Sequence, residues 1–198
     1  MEKITAGNRN EEAVPIGGLP ASLIEKASKI RLLLMDVDGV LTDGKLYNVP
    51  DAGGNMVETK AFDSQDGIAL QWLGWHGIKT GLISGRISPA TVERARQCNF
   101  SYVYQGHIEK IPILEEIAAD CNLSRDEMAY IGDDFTDVVV MRRVSLAIAT
   151  ANARPEVKRS AHYVTTQPGG RGAVREVVEL LLTAQGHWPG LLKRYEID

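Results

Sequence analysis

Residues 32–44 read LLLMDVDGVLTDG: four apolar residues, then three carboxylates, Asp36, Asp38 and Asp43, within eight positions. The apolar run from Ile30 suits a strand covered on both faces, with the acidic residues at its carboxyl end. Asp-Gly pairs are ordinary turns, so this stretch alone would pass for a loop. What it means depends on what the rest of the chain delivers to the same place.

From Ile30 onward the chain alternates. The runs IRLLLMDV, IKTGLIS, SYVYQ, MAYIG, SLAIA and HYVTT read as short strands. Helical patterns separate most of them. In EKIPILEEIAADC, Ile111, Leu114, Ile117, Ala118 and Cys121 repeat at helical spacing. SRDE at 124–127 has capping-box spacing and is equally readable as a turn before MAYIG, while GAVREVVELLLTAQG is a last helix stopped near Gly186. This alternation predicts an α/β fold: a three-layer, Rossmann-like parallel sheet with helices on both faces. One segment departs from it. KLYNVPDAGGNMVETKAF, with strand-like halves around a turn-rich DAGGN, predicts a β-hairpin inserted after the first strand. No connection has room for a cap domain. Residues 1–20 are expected to form a flexible arm, 21–187 the domain and 188–198 a tail.

In such a sheet ligands bind beyond the carboxyl ends of the strands. Asp36 and Asp38, Ser84 after IKTGLIS, and Asp133 and Asp134 after MAYIG are all expected at that edge. Clustered carboxylates repel unless a cation or proton neutralises them, and an all-oxygen set favours Mg²⁺. A carboxylate can also act as a nucleophile toward phosphorus, and a second one two residues on can work as acid and base. Gly39 lets the backbone approach closely, and Gly85 is read the same way.

DVDGVLTDG, SGR at 84–86, the Lys of QGHIEK and GDDFTD at 132–137 together resemble, in order, the four motifs of the haloacid dehalogenase superfamily. KAFDSQDGIAL, the hairpin and GGRGAVREVVELLL are similar to its capless branch, which includes the 3-deoxy-D-manno-octulosonate 8-phosphate (KDO 8-phosphate) phosphatases. The resemblance spans about residues 30–186. It implies a Mg²⁺-dependent phosphatase working through an aspartyl-phosphate. Asp36 would be nucleophile and metal ligand, and Asp38 acid/base and metal ligand through its carbonyl. Asp133 would complete the protein ligands, with Asp134 and Asp137 supporting the metal shell. Ser84 and Gly85 would meet the phosphoryl oxygens, and Lys110 would neutralise the nucleophile. Lys110 falls at a helix start, where the dipole disfavours it, which favours a functional lysine. Asp137 is divided evenly between that supporting role and a place on the helix surface.

A sugar-acid carboxylate would meet Arg86, Lys60 or Arg171, while Arg175 is as well explained by an i,i+4 pair with Glu179. Gln65 stands where relatives carry Arg, which keeps a nonulosonate 9-phosphate, a sialic-acid-type ester, as the alternative substrate. The resemblance also implies lipopolysaccharide precursor synthesis and a homotetramer. In it the hairpins would pack together and the tail, with Trp188, Leu191, Leu192 and Tyr195, would reach a neighbour's pocket; packing on its own subunit is nearly as good a reading.

Composition agrees with a soluble globular protein. The 198 residues are 44% hydrophobic and 24% charged, with a formal net charge of −4, so no basic field advertises nucleic acid. No apolar stretch approaches a membrane span, and the polar N-terminus has no signal-peptide character, so a cytoplasmic protein is expected. The two cysteines, Cys98 and Cys121, and the four histidines match no ligand spacing and are read as structural.

Overall fold

The computed structural model describes residues 18–197. All but Gly18–Pro20 of the expected N-terminal arm lies outside them. The chain runs α1 (Ala21–Ser28), β1 (Leu32–Met35), β2 (Tyr47–Pro50), β3 (Met56–Thr59), α2 (Ser64–Trp75), β4 (Lys79–Ser84), α3 (Pro89–Gln97) and β5 (Tyr102–Gln105). It continues with α4 (Ile111–Cys121), β6 (Met128–Gly132), α5 (Phe135–Met141), β7 (Leu146–Ala149), α6 (Pro155–Lys158), β8 (Tyr163–Val164), α7 (Ala173–Ala184) and α8 (Trp188–Arg194).

All six strands read from the apolar runs are present, and they form one sheet in the order β5-β4-β1-β6-β7-β8. Every pairing in it is parallel. The four residues of β1 are fully buried. Alternation divides them: Leu33 and Met35 join a core with α1, α2 and α7, whereas Leu32 and Leu34 join one with α4, α5 and α6. Burying each such side chain contributes roughly 1.5–3 kcal/mol, so the central strand is held from both faces. It lies between β4 and β6, with Leu34 paired to Gly81 and to Tyr130. Its carboxyl end therefore opens between those of two neighbours, which is where a parallel sheet presents its ligand edge.

The hairpin forms as read. Asp51 closes it by accepting the N–H groups of Gly53 (2.8 Å) and Asn55 (2.9 Å). Its residues are almost all exposed, Val49, Met56 and Val57 among them. SRDE satisfies both of its readings at once, since a single 3-10 turn at Arg125–Glu127 carries a capping box directly before β6. The helix expected to be last does stop before Gly186, but α8 follows it. Leu191 is buried, the Trp188 ring sits 6.2 Å from Trp72, and Trp72 Nε1–H donates to Tyr195 Oη at 3.2 Å. These tail residues thus pack on α2 of their own chain. Cys98 and Cys121 are free thiols, and His162 Nδ1 accepts the Ala147 N–H.

Candidate active site

Asp36 directly follows β1, and its N–H donates to Ile131 O of β6 at 3.0 Å, which continues the ladder and fixes its backbone. Lys110 Nζ lies 3.1 Å from Asp36 Oδ1 and 2.7 Å from Asp137 Oδ1, and it donates to Tyr130 Oη at 3.0 Å. Asp137 accepts four hydrogen bonds. Lys110 and the Tyr130 hydroxyl (2.7 Å) reach Oδ1, while the N–H groups of Asp133 (2.9 Å) and Asp134 (3.1 Å) reach Oδ2. Asp137 is fully buried, which excludes the helix-surface reading and makes it the organiser of the loop after β6.

Sequence reasoning missed Tyr130. Its signal was a lone hydroxyl in a buried aliphatic strand, which needs a polar partner. Lys110 sits at the start of α4, 1% exposed. Burial works against its charge, yet Asp137 and Asp36 together outweigh burial and raise its pKa. Burial, reinforced by Asp137, lifts Asp36 to about 6 despite Lys110. Burial and the charges of Asp137, Asp36 and Asp134 push Asp133 to about 8. Three carboxylates around one lysine are short of positive charge.

One oxygen each from Asp36, Asp133 and Asp137 lies within 4.8 Å of the others. Asp137 is saturated with donors, so it is not free to bind a cation. Asp133 Oδ1, by contrast, is buried with no hydrogen-bond partner. A hard divalent cation suits this all-oxygen set, which Asp36 and Asp133 would hold, with the Asp38 carbonyl as the further ligand the resemblance implies. Gly39 has φ +95°, and a Cβ there would fall 2.1 Å from Asp133 Oδ2, so only glycine lets these two segments meet. Gly85 has no such requirement: a Cβ would meet only Ile108, at 3.5 Å.

The site opens as a cavity of about 290 Å³ whose lining includes Asp36, Asp38, Ser84, Arg86, Lys110 and Asp133. Gly85 and Asp134 border it as well. Ser84 Oγ accepts the Arg86 N–H at 3.2 Å, leaving its own proton to donate. Asp134 is an exposed cap of α5, accepting the Phe135 N–H at 2.7 Å.

Asp38 faces a second ionic group that the sequence did not disclose. Lys60 hydrogen-bonds Asp38 and lies 3.3 Å from Glu58, while Arg86 pairs with Glu58 and comes within 4.0 Å of Asp38. Glu58 belongs to β3, so the hairpin reaches the catalytic edge. Arg171 lines a separate cavity of about 370 Å³, with Gln65 and Arg175, and is not among the residues lining the carboxylate cavity of its own chain. Arg175 pairs with Glu179 and stacks on Trp72 at 4.0 Å.

The haloacid dehalogenase-like hydrolase profile matches residues 77–177. The 3-deoxy-D-manno-octulosonate 8-phosphate phosphatase of Yersinia pestis is 40% identical over 174 residues, covering 88% of this chain and 91% of that protein. The chain belongs to the haloacid dehalogenase-like hydrolase family. The corresponding phosphatase of Escherichia coli K12 is also 40% identical, over 86% of this chain and 88% of its own. A crystal structure of the Moraxella catarrhalis phosphatase, in complex with magnesium, phosphate and KDO, matches with a TM-score of 0.82. It is 36% identical and covers 87% of this chain and 97% of that one. Between β1 and α2 this chain has only the short hairpin, and no cap domain is evident among the described residues.

Proposed function

We propose that the protein is a Mg²⁺-dependent phosphoric monoester hydrolase that releases phosphate from 3-deoxy-D-manno-octulosonate 8-phosphate. The observation that carries the reading is Lys110, buried between Asp36 and Asp137 beside the unpartnered Asp133 oxygen. The relatives that share this chain's length supply the substrate.

Asp36 is the nucleophile. Its free carboxylate oxygen attacks phosphorus while Asp38 protonates the leaving sugar oxygen, which forms an aspartyl-phosphate. Asp38, now a base, takes a proton from water as that water attacks phosphorus. Phosphate leaves and Asp36 is restored. Ser84 and Lys110 hold the phosphoryl oxygens, whose charge spreads in the transition state. A Mg²⁺ held by Asp36, Asp133 and the Asp38 carbonyl supplies further neutralisation of that charge. Asp137 holds Lys110 and the Asp133 backbone in place. Substrate carboxylate and hydroxyls meet Arg86 and Lys60 by displacing their present acidic partners.

The working form in this proposal is a homotetramer in the cytoplasm, serving lipopolysaccharide precursor synthesis. An isolated two-stranded hairpin is marginal in water. The apolar residues on this one, with Met56 at 64% exposure, call for a cover that a second copy can provide. Gln65 and Arg171 would then face a neighbour's site. Among the described residues no helix is long and apolar enough to cross a membrane.

The test is phosphate release from KDO 8-phosphate, a nonulosonate 9-phosphate and hexose phosphates, with Mg²⁺ and with EDTA. Selective, EDTA-sensitive release from the first is expected. Preference for the nine-carbon ester would move the enzyme to sialic-acid-type metabolism, and no release from any ester would sink the phosphatase reading.

A further inference from the structure

Behind the catalytic turn lies a second loop with no side chain between the two. A Cβ at Gly169 would fall 1.9 Å from Gly39 O, and one at Gly170 would fall 2.5 Å from the Thr42 carbonyl carbon. One backbone bond joins the segments directly, from Gly170 N–H to Val40 O at 3.0 Å. The main bracket is Asn152, in the connection between β7 and α6. Its Nδ2 donates to Gly39 O at 2.9 Å, and its Oδ1 accepts the Gly169 N–H at 2.6 Å. Thr150 Oγ1 donates more weakly to the same Gly39 oxygen, at 3.3 Å.

The far end of the loop is fixed as well. Gly172 begins α7 without a side chain to cap it. The buried Asp66 of α2 takes over by accepting the Arg175 N–H at 2.7 Å. The loop is therefore anchored at both ends and pressed against Gly39. Gly39 in turn has its Cα against the Asp133 carboxylate and follows Asp38 directly. Any movement of the Gly39 turn changes the gap between the Asp38 carbonyl and Asp133. Among the described residues Asn152 is the one side chain that bonds both the loop and the turn.

We propose that Asn152 is a positioning residue for the metal-holding edge, its carboxamide clamping Gly169 onto Gly39 and so fixing the Asp38 backbone against Asp133. This rests on the reading that Asp36, Asp38 and Asp133 hold Mg²⁺. Asn152 touches no reacting atom. It acts through the Gly39 peptide, as partners behind metal ligands commonly do.

The experiment is calorimetric titration of Mg²⁺ into the substrate-free, full-length protein, with thermal melts alongside. Asn152→Ala loses both bonds, and its Mg²⁺ dissociation constant is expected to rise about tenfold. The Mg²⁺ concentration for half-maximal phosphate release should rise in step, while kcat at saturating Mg²⁺ stays within about twofold of wild type. Asn152→Asp keeps the acceptor for Gly169 N–H but loses the donor and sets a carboxylate oxygen against Gly39 O, so it is expected to bind Mg²⁺ no better than Asn152→Ala. Wild-type Mg²⁺ affinity in Asn152→Ala, with only a lower melting temperature, would mean a structural role and overturn the proposal. So would an Asn152→Asp that binds Mg²⁺ as tightly as wild type, since it cannot hold the Gly39 carbonyl. A wild-type protein that binds no Mg²⁺ would sink the metal reading itself, and the clamp with it, before any variant is compared.

Discussion

Two ionic clusters stand a few residues apart at the same sheet edge, and they are built oppositely. The Lys110–Asp137–Tyr130 group is closed: both charges are buried, and Asp137 accepts four hydrogen bonds. The Lys60–Asp38–Glu58–Arg86 group is open at its Arg86 end, although the Lys60 side chain is 2% exposed. The Arg86 side chain is 48% exposed, and Glu58 Oε1 accepts no hydrogen bond. A buried pair is costly to break and does not rearrange readily, whereas a half-exposed one exchanges partners at little cost. The closed cluster therefore suits a nucleophile that must meet phosphorus in one geometry. The open cluster suits a substrate whose anionic groups have to be admitted and released.

The largest effect should come from the closed cluster. Asp137→Asn leaves Lys110 with one carboxylate instead of two and is expected to cost about 3–5 kcal/mol of stability, read in chemical denaturation. Activity should collapse with it. A variant that melts like wild type would place Asp137 in the open class.

Asp66 sharpens the comparison because it is a buried carboxylate with no cation hydrogen-bonded to it. Burial raises its pKa to about 6, and the Arg175 N–H only partly compensates. The folded protein then binds this proton more tightly than the unfolded chain does. The cost of its charge is present in full above pH 6 and is relieved as pH falls from about 6 to about 4. Asp66→Asn should accordingly be more stable than wild type at pH 7.5, by on the order of 2–3 kcal/mol. The gain should vanish near pH 4, and one that persists there would show that the carboxylate is not the cause.

The smallest effect belongs to the open cluster. Arg86→Ala should raise KM for the sugar-acid ester about tenfold, with kcat little changed and no measurable shift in melting temperature. The KM effect should shrink as salt is added, since exposed charges are screened. A kcat loss as large as that of Asp36→Asn, which is expected to abolish turnover, would erase the distinction between the clusters.

The sheet was legible in the sequence because each strand is a short apolar run that ends in a recognisable break. Asp36, Ser84 and Asp133 were legible for the same reason, being the first polar residues after such runs. Asp137 was not. A carboxylate three residues into a helix looks alike whether it faces solvent or a buried lysine, and only the approach of α4 to α5 decides. Glu58 was hidden because the hairpin's orientation is a tertiary fact. The place of Arg171 in a familiar motif does not say which cavity it lines, which only the packing of the turn before α7 decides. The tail's packing on α2 depended on Trp72, more than a hundred residues away in the chain.

The exposed hairpin connects two properties that are usually measured separately. Its apolar residues are exposed, and its second strand carries Glu58, the residue that occupies Lys60 and Arg86. In the proposed tetramer, a ligand that pulls those cations from Glu58 would act on the strand that a second copy covers. Linkage runs both ways, so what tightens assembly by some factor must tighten ligand binding by the same factor. Dilution and substrate saturation would then be two handles on one equilibrium.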